Sequence, residues 1–513
     1  MSDAAPPPRR RDRSRGPRST GPSLAPLPRV VNRMPPVEVL TEEQVERILS
    51  AAYRIMEEGG LEIRSARARE IYRRHGADVD DATHIVRIRR DIVEANLARC
   101  PEQFVLRARN RERDLHIGGD VVNFGPVSGA PNVTDLERGR RYGDLEAFRD
   151  ILKVTHMLGV LHWQGGVVVE PVDVPVPVRH LELYRAHIQC ADTVWQARGI
   201  GRVNAEDALA MSAIEHGCTL DDLVAQPTLL LVTNVNSPRR VDEEIHEAIT
   251  VLAEHGQCIC ITPFTLMGAM APVTLAGALA QQTAEAIGIL AYVQMVRPGT
   301  PCVLGGFTSN VDMRTGSPAF GTPEYVKATL ASAQIGRRLK IPVRTSAPNA
   351  SCAVDAQATY ETGFSLWVAI MSKSHLIMHA AGWLEGGLSA SMEKIVVDAE
   401  MLRNWAEILK SVAFSDDDMA VDAGMEVAPG GHFFGSPHTL ARYETAFYRP
   451  LLSDWSNFEN WRDAGAKDAT ARAHEIWKRL RDQYAPPPLE PSVAEAIEAY
   501  VVKRREEIGE GAR

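Results

Sequence analysis

A chain of 513 residues with 45% hydrophobic and 24% charged side chains has ordinary globular composition and enough length for a large core with additions. Its net charge of -9 argues against nucleic acid as a main partner, and no apolar run is long enough to span a bilayer or to act as a signal-peptide core. The 7 cysteines are scattered and odd in number, which argues against a disulfide framework and points to a reducing cytoplasm.

The chain opens with "MSDAAPPPRRRDRSRGPRSTGPSLAPLPRV", and residues 1–35 are expected to be a disordered Arg/Pro-rich tail outside the fold. The stretch "LTEEQVERILSAAYRIMEEGG" then predicts a helix. Thr41 and Gln44 have capping-box spacing, and Val45, Ile48, Leu49, Ala52, Ile55 and Met56 fall on one stripe before a stop at Gly59. Short strands and helices alternate from there, so residues 36–150 are expected to form an amino-terminal α+β extension.

After "YGDLEAFRDILKVTHML" the rhythm changes. The strand candidates are "VLHWQGG", "TVWQARG", "PTLLLVTNVNSP", "QCICITPF", "TPCVLGGFTSN", "IPVRTSAP", "SHLIMHAAG" and "MEVAPGGHFFG", and amphipathic helices lie between most of them. Near-continuous apolar strands alternating with helices imply parallel strands buried on both faces. The expected fold class is therefore α/β. A (β/α)8 TIM barrel spans residues 151–440, with carboxyl-terminal helices over 441–513. The runner-up, an open doubly wound sheet, lacks a G-x-G-x-x-G after a first strand.

In such a barrel the site lies where strands end and loops begin. The exits supply Trp195, Asn234, Phe264, Phe307, Arg344, His379, Trp383, Glu385, His432 and Phe433 as candidate substrate-binding residues, with no catalytic residue assigned and no metal site. Aromatic rings and neutral hydrogen-bonding groups dominate this set, and carboxylates are scarce. Such a lining suits a quaternary ammonium, whose diffuse charge no hydrogen bond reaches. A paired-carboxylate hydrolase is not evident, because only Glu385 is well placed, with Asp312 and Asp355 deeper in loops. Cys258 and Cys260 share one strand face and read as small buried apolar residues rather than zinc ligands. Asp114, His116 and Gly119 match the Asp-x-His-x-x-Gly pattern of corrinoid-binding proteins, but the segment continues as a strand, so a turn with a surface histidine is the expected reading. The loop "TLMGAMAPVT" after Phe264 is read either as a cover over the barrel mouth or as a well-packed turn.

The segments "LMGAMAPVTLAGALAQQTAEAIGILAYVQMVRPGTPCVLGG", "DMRTGSPAFGTPE", "VDAQATYETGFSLWVA" and "GGHFFGSPHTL" together resemble the trimethylamine methyltransferase family, over a stretch from about residue 35 to near the carboxyl end. That resemblance implies a (β/α)8 barrel and transfer of a methyl group from a methylated amine to a cobalt(I) corrinoid carried by a separate small protein. The founding type of the family uses pyrrolysine. This sequence contains no non-standard residue, so it looks like the branch without it, which includes glycine betaine:corrinoid methyltransferases. The implied partners are a small quaternary amine and a corrinoid protein, with no bound cofactor in the chain itself, no membrane, and a homo-oligomer expected from the base rate for large barrels. Two alternatives stay open. One is a methyltransferase of the same fold with tetrahydrofolate or a thiol as acceptor. The other is a non-catalytic barrel that binds methylamines.

Overall fold

The computed structural model describes residues 24–509. The helix Glu42–Arg54 begins with the capping box read from the sequence: Gln44 N donates to Thr41 Oγ1 at 3.2 Å and Thr41 N donates to Gln44 Oε1 at 2.9 Å. A π-helical turn, Ile55–Gly59, extends it to Gly60, whose φ of 71° ends the run. The stripe packs inward, with Val45, Ile48, Leu49, Ala52 and Met56 buried.

The protein is a mixed α/β fold centred on an eight-stranded curled sheet. Its strands run in the order Val30–Val31, Val121–Phe124, Leu376–Met378, Val343–Ser346, Cys302–Gly305, Cys258–Ile261, Leu229–Thr233, Trp195–Ala197. All neighbours pair parallel except Val30–Val31, which lies antiparallel on Val121–Phe124. Period-2 alternation sorts the side chains into two cores. Leu229, Leu231, Ile259, Ile261 and Leu304 pack against helices. Leu230, Cys258, Cys260, Val303, Leu376 and Met378 turn the other way and form a separate interior cluster. The hairpin Phe104–Leu106/Leu115–Ile117 closes that interior at the amino-terminal ends of the strands, adding Leu106, Leu115 and Ile117 to the cluster and bonding Arg107 N to Pro227 O at 2.8 Å.

Four expectations are corrected. Residues 24–35 belong to the fold rather than to a solvated tail: Leu27 N donates to Gly159 O at 2.8 Å, and Val30 pairs with Val122. Residues 1–23 lie outside the described residues. The sheet takes up Val121–Phe124, a strand the sequence placed in the amino-terminal layer, while "MEVAPGGHFFG" contains no strand. The reason is physical. "VVNF" is short and follows a Gly-Gly turn, so it looks like a hairpin arm. "MEVAPGGHFFG" is apolar enough for a strand but finds no sheet edge to join. The segment 160–166 carries no ladder of its own, yet His162 N donates to Phe124 O and Gln164 N to Val194 O, both at 2.9 Å.

Trp163 in that segment fills the interior and leaves no room beside it. A Cβ at Gly125 would lie 2.2 Å from the Trp163 ring. Gly125→Ala is expected to lower stability by about 1–3 kcal/mol, the usual cost of overpacking, and Trp163→Leu in the same chain should recover part of it. Thermal unfolding of the two variants checks both statements.

Candidate functional site

A cavity of about 500 Å³ opens at the carboxyl-terminal ends of the parallel strands. Most wall residues come from a strand exit or the loop after it, and Ile245 comes from the helix Glu243–Glu254. Gln196 follows Trp195, Val232 and Thr233 end the strand Leu229–Thr233 with Asn234 to Asn236 after it, Phe264 and Phe307 follow the next two strands, Arg344 sits within the strand Val343–Ser346, Met378 ends Leu376–Met378, and His379 and Trp383 lie in the turn beyond it. Ser128, Gly129 and Pro131 on one side and Gly386, Gly387 and Leu388 on the other complete it.

Among the described residues Arg344 is the only fixed charge in the lining, and no carboxylate lines the cavity. Its side chain is buried, and its Nε and Nη1 have no hydrogen-bond partner among the described residues. Burial lowers its pKa, while neighbouring Cys260 and Tyr325 act in the opposite sense. The guanidinium lies over the Phe307 ring, 5.3 Å from its centroid. Phe307 in turn meets Phe264 at 5.1 Å and stacks on Phe320 at 5.3 Å. A buried cation without a counter-anion is costly, and an anionic group in the cavity would offset that cost.

His379 stands beside Arg344. Burial holds its imidazole well below the usual histidine range, and the Arg344 charge pushes it further. It is therefore neutral at pH 7, with Nδ1 3.1 Å from Ser346 Oγ. Its backbone has a φ of 55°, a left-handed conformation that non-glycine residues seldom adopt. His379 N and Ala380 N donate to Pro126 O and Gly125 O, which fixes that turn. The Trp383 ring lies 4.1 Å from the His379 ring and donates from Nε1 to Asn349 O at 3.1 Å.

A buried ion pair holds the Trp383 turn from behind. Lys394 Nζ donates to Asp398 Oδ1 and to Thr362 Oγ1, and Asp398 Oδ2 accepts from Gly382 N at 2.9 Å. Burial raises the Asp398 carboxyl, against the pull of Lys394. Lys394→Met would leave that carboxylate buried and unpaired. The expected cost is about 3–5 kcal/mol, and Lys394→Met combined with Asp398→Leu should restore most of it. Chemical denaturation of both variants decides.

Asn234, Phe264, Phe307, Arg344, His379 and Trp383 come together in one cavity wall. The other four candidates do not. Trp195 faces the helices, because alternation along its strand turns Gln196 inward instead; its Nε1 donates to Glu215 Oε2 at 2.7 Å. Glu385 is turned aside by its own φ of 54° and pairs with Arg140 Nε at 2.9 Å. His432 and Phe433 are exposed on a segment that joins no sheet. The sequence reading missed Ser128, Gly129 and Pro131. The signal was present in "NFGPVSGAP", a Gly/Pro turn after an apolar run, once Val121–Phe124 is counted as a sheet strand.

Among the described residues no group of three or more His, Cys, Asp or Glu side chains is placed to hold a metal ion. Cys258 and Cys260 are buried in the sheet interior, where burial raises both thiols. His116 lies on the hairpin at the opposite end of the strands, 2.7 Å from Arg29 Nη2.

The family model for trimethylamine methyltransferase (MTTB) matches residues 8–509. A glycine betaine methyltransferase of Desulfitobacterium hafniense (strain Y51) is 34% identical over 93% of this chain and 99% of its own. A trimethylamine methyltransferase, MttB, of Desulfitobacterium hafniense (strain DSM 10664 / DCB-2) is 27% identical over 91% of this chain and 94% of its own. In fold, the chain resembles the crystal structure of a hydroxylamine complex of MtmB, with a TM-score of 0.50 and 11% identity over 91% of this chain and 96% of that one. The chain belongs to the trimethylamine methyltransferase family and is a methyltransferase.

Proposed function

We propose that this methyltransferase demethylates a zwitterionic quaternary amine of the glycine betaine type and that a separate corrinoid protein receives the methyl group. The observation that carries the reading is the unpartnered guanidinium of Arg344 in an aromatic wall without acids. A bare cation such as choline would repel it. Two like charges about 6 Å apart at an effective dielectric of about 20 cost roughly 3 kcal/mol. A betaine reverses that sign, because its carboxylate pairs with Arg344 and its ammonium rests on the rings of Phe264, Phe307 or Trp383. Asn234 and the neutral imidazole of His379 are further donors for the carboxylate.

The chemistry asks little else of the chain. Demethylation turns the quaternary nitrogen into a neutral tertiary amine, so the leaving group needs no proton, and a lining without an acid suits it. The residues act by binding, orienting the N-methyl group toward the mouth and shedding water. A cobalt(I) corrinoid would supply the nucleophile. Among the described residues the Asp-x-His-x-x-Gly motif is folded into the hairpin around His116, away from the cavity. A corrinoid brought by a partner protein fits this arrangement better than a resident one.

The same reading extends to the architecture. The bonds from His162 to Phe124 and from Gln164 to Val194 support closure of the curled sheet into a (β/α)8 barrel, with residues 160–166 as the seam. The barrel would then run from about residue 121, with the amino-terminal α+β layer and the carboxyl-terminal helices outside it. Among the described residues no helix is long and apolar enough to cross a membrane, which fits a cytoplasmic enzyme.

Two measurements test the proposal. Calorimetry should show glycine betaine bound and choline bound at least tenfold more weakly. Addition of betaine and enzyme to a reduced corrinoid carrier should give the absorbance of the methylated corrinoid. Equal affinity for choline would refute the Arg344 pairing, and turnover with tetrahydrofolate or a thiol alone would refute the acceptor.

A further inference from the structure

We propose that residues 411–460 form an arm that packs on a second copy of this chain. The arm leaves the body after Leu409, is tethered at Leu451 and Leu452, whose backbone N–H groups donate to Glu400 Oε2, and rejoins the body before the helix Ala469–Asp482. Between Lys410 and Pro450 only Ser436 is buried. The helices within it, Asp416–Met419, Val421–Glu426 and Pro437–Arg442, are far too short to be stable without packing. Yet the segment is not polar. Phe414, Phe434, Phe447, Trp455 and Phe458 are between 64% and 84% exposed.

The area argument selects a lasting partner. At about 150–250 Å² for each buried aromatic, covering these five would remove roughly 500–1000 Å², close to the ~800 Å² each side of a stable complex buries. An arm of this kind left in water is an aggregation hazard, so its cover has to be permanent. A methyl-accepting shuttle that binds and leaves at every turnover does not meet that need. A second copy does, because it is present whenever the chain is. The same chain also carries an unpartnered acceptor surface: Tyr360, Phe364 and Trp367, at i, i+4 and i+7 on the helix Ala356–Met371, form an exposed aromatic stripe. An arm from one chain on the stripe of another gives a self-complementary contact of the kind that closes symmetric oligomers.

Sedimentation of the full chain at micromolar concentration should give an integer multiple of the single-chain mass. The variant F414S/F434S/F447S should shift to one chain mass while binding glycine betaine with unchanged affinity, since none of the three lines the cavity. A photo-reactive residue at position 434, in a mixture of light and heavy isotope-labelled chains, should yield heavy–light cross-links to the peptide containing Tyr360–Trp367. A monomeric wild type overturns the proposal, as does an oligomer that survives the triple substitution. If the triple variant does not fold, the cross-link decides, and its absence between chains overturns the proposal equally.

Discussion

Arg344→Leu is expected to abolish useful affinity for glycine betaine while making the ligand-free protein more stable. The two effects share one cause. In the free protein the guanidinium is buried, lacks partners at Nε and Nη1, and rests against Phe307. Its desolvation is uncompensated, so an apolar side chain of similar volume should raise the unfolding temperature. With a zwitterion bound, the same group makes a charge-assisted pair in a dry wall. Losing such a pair costs about 2–5 kcal/mol, or roughly 30- to 4000-fold in affinity at about 1.4 kcal/mol per tenfold. Relative selectivity should shift as well, because a bare quaternary cation no longer meets a like charge. Calorimetry with betaine and choline, beside a thermal melt, separates this picture from a purely structural arginine. A structural arginine would lower the unfolding temperature and leave the ratio of the two affinities alone.

Stability should fall steeply as the pH drops from 6.5 toward 4. Burial holds His156, His162, His187, His216 and His375 at about 4 and His246 at about 3, against about 6.5 for a free imidazole. The unfolded chain therefore binds more protons than the folded one across that window. Stability then rises with pH, is fully present above about 6.5 and is lost as each folded pKa is approached. Each histidine contributes on the order of 1.4 kcal/mol per pH unit. Three acids act in the opposite sense. Burial pushes Glu215 up to about 7 and raises Glu285 and Asp398, so these favour the folded state at low pH and lose that contribution as pH rises. With His116 and His379 also held low, eight groups outweigh three, and the net slope stays positive. Denaturant titrations at pH 7, 6 and 5 should show falling midpoints with an unchanged slope. A midpoint that does not move would mean that these imidazoles accept protons in the folded protein as readily as in water.

Much of this protein was legible in its sequence because alternation and periodicity are local. The capping box at Thr41 and Gln44, the apolar runs "LLLVT", "CICI" and "CVLG", and the shared face of Cys258 and Cys260 all follow from spacing alone. So did the chemical character of the strand exits. Phe264, Phe307, Arg344, His379 and Trp383 stand where a run of apolar residues gives way to turn chemistry, and the structure gathers them in one wall.

Sequence could not tell which apolar run finds a neighbour. Val121–Phe124 joins the sheet and "MEVAPGGHFFG" does not, although both read as short apolar stretches. Nor could it fix the sense of a side chain at a strand's end, where one residue of register exchanges Trp195 for Gln196. The sequence by itself determined the capped helices, most of the sheet strands and the residue types at the strand exits, because these depend on neighbours a few positions away. Tertiary structure alone decided that Arg344 lacks a partner, that His379 lies under its field, and that Glu385 is claimed by Arg140. Hydrogen bonding and desolvation are set by groups distant in the chain, and only the folded packing brings those groups within reach.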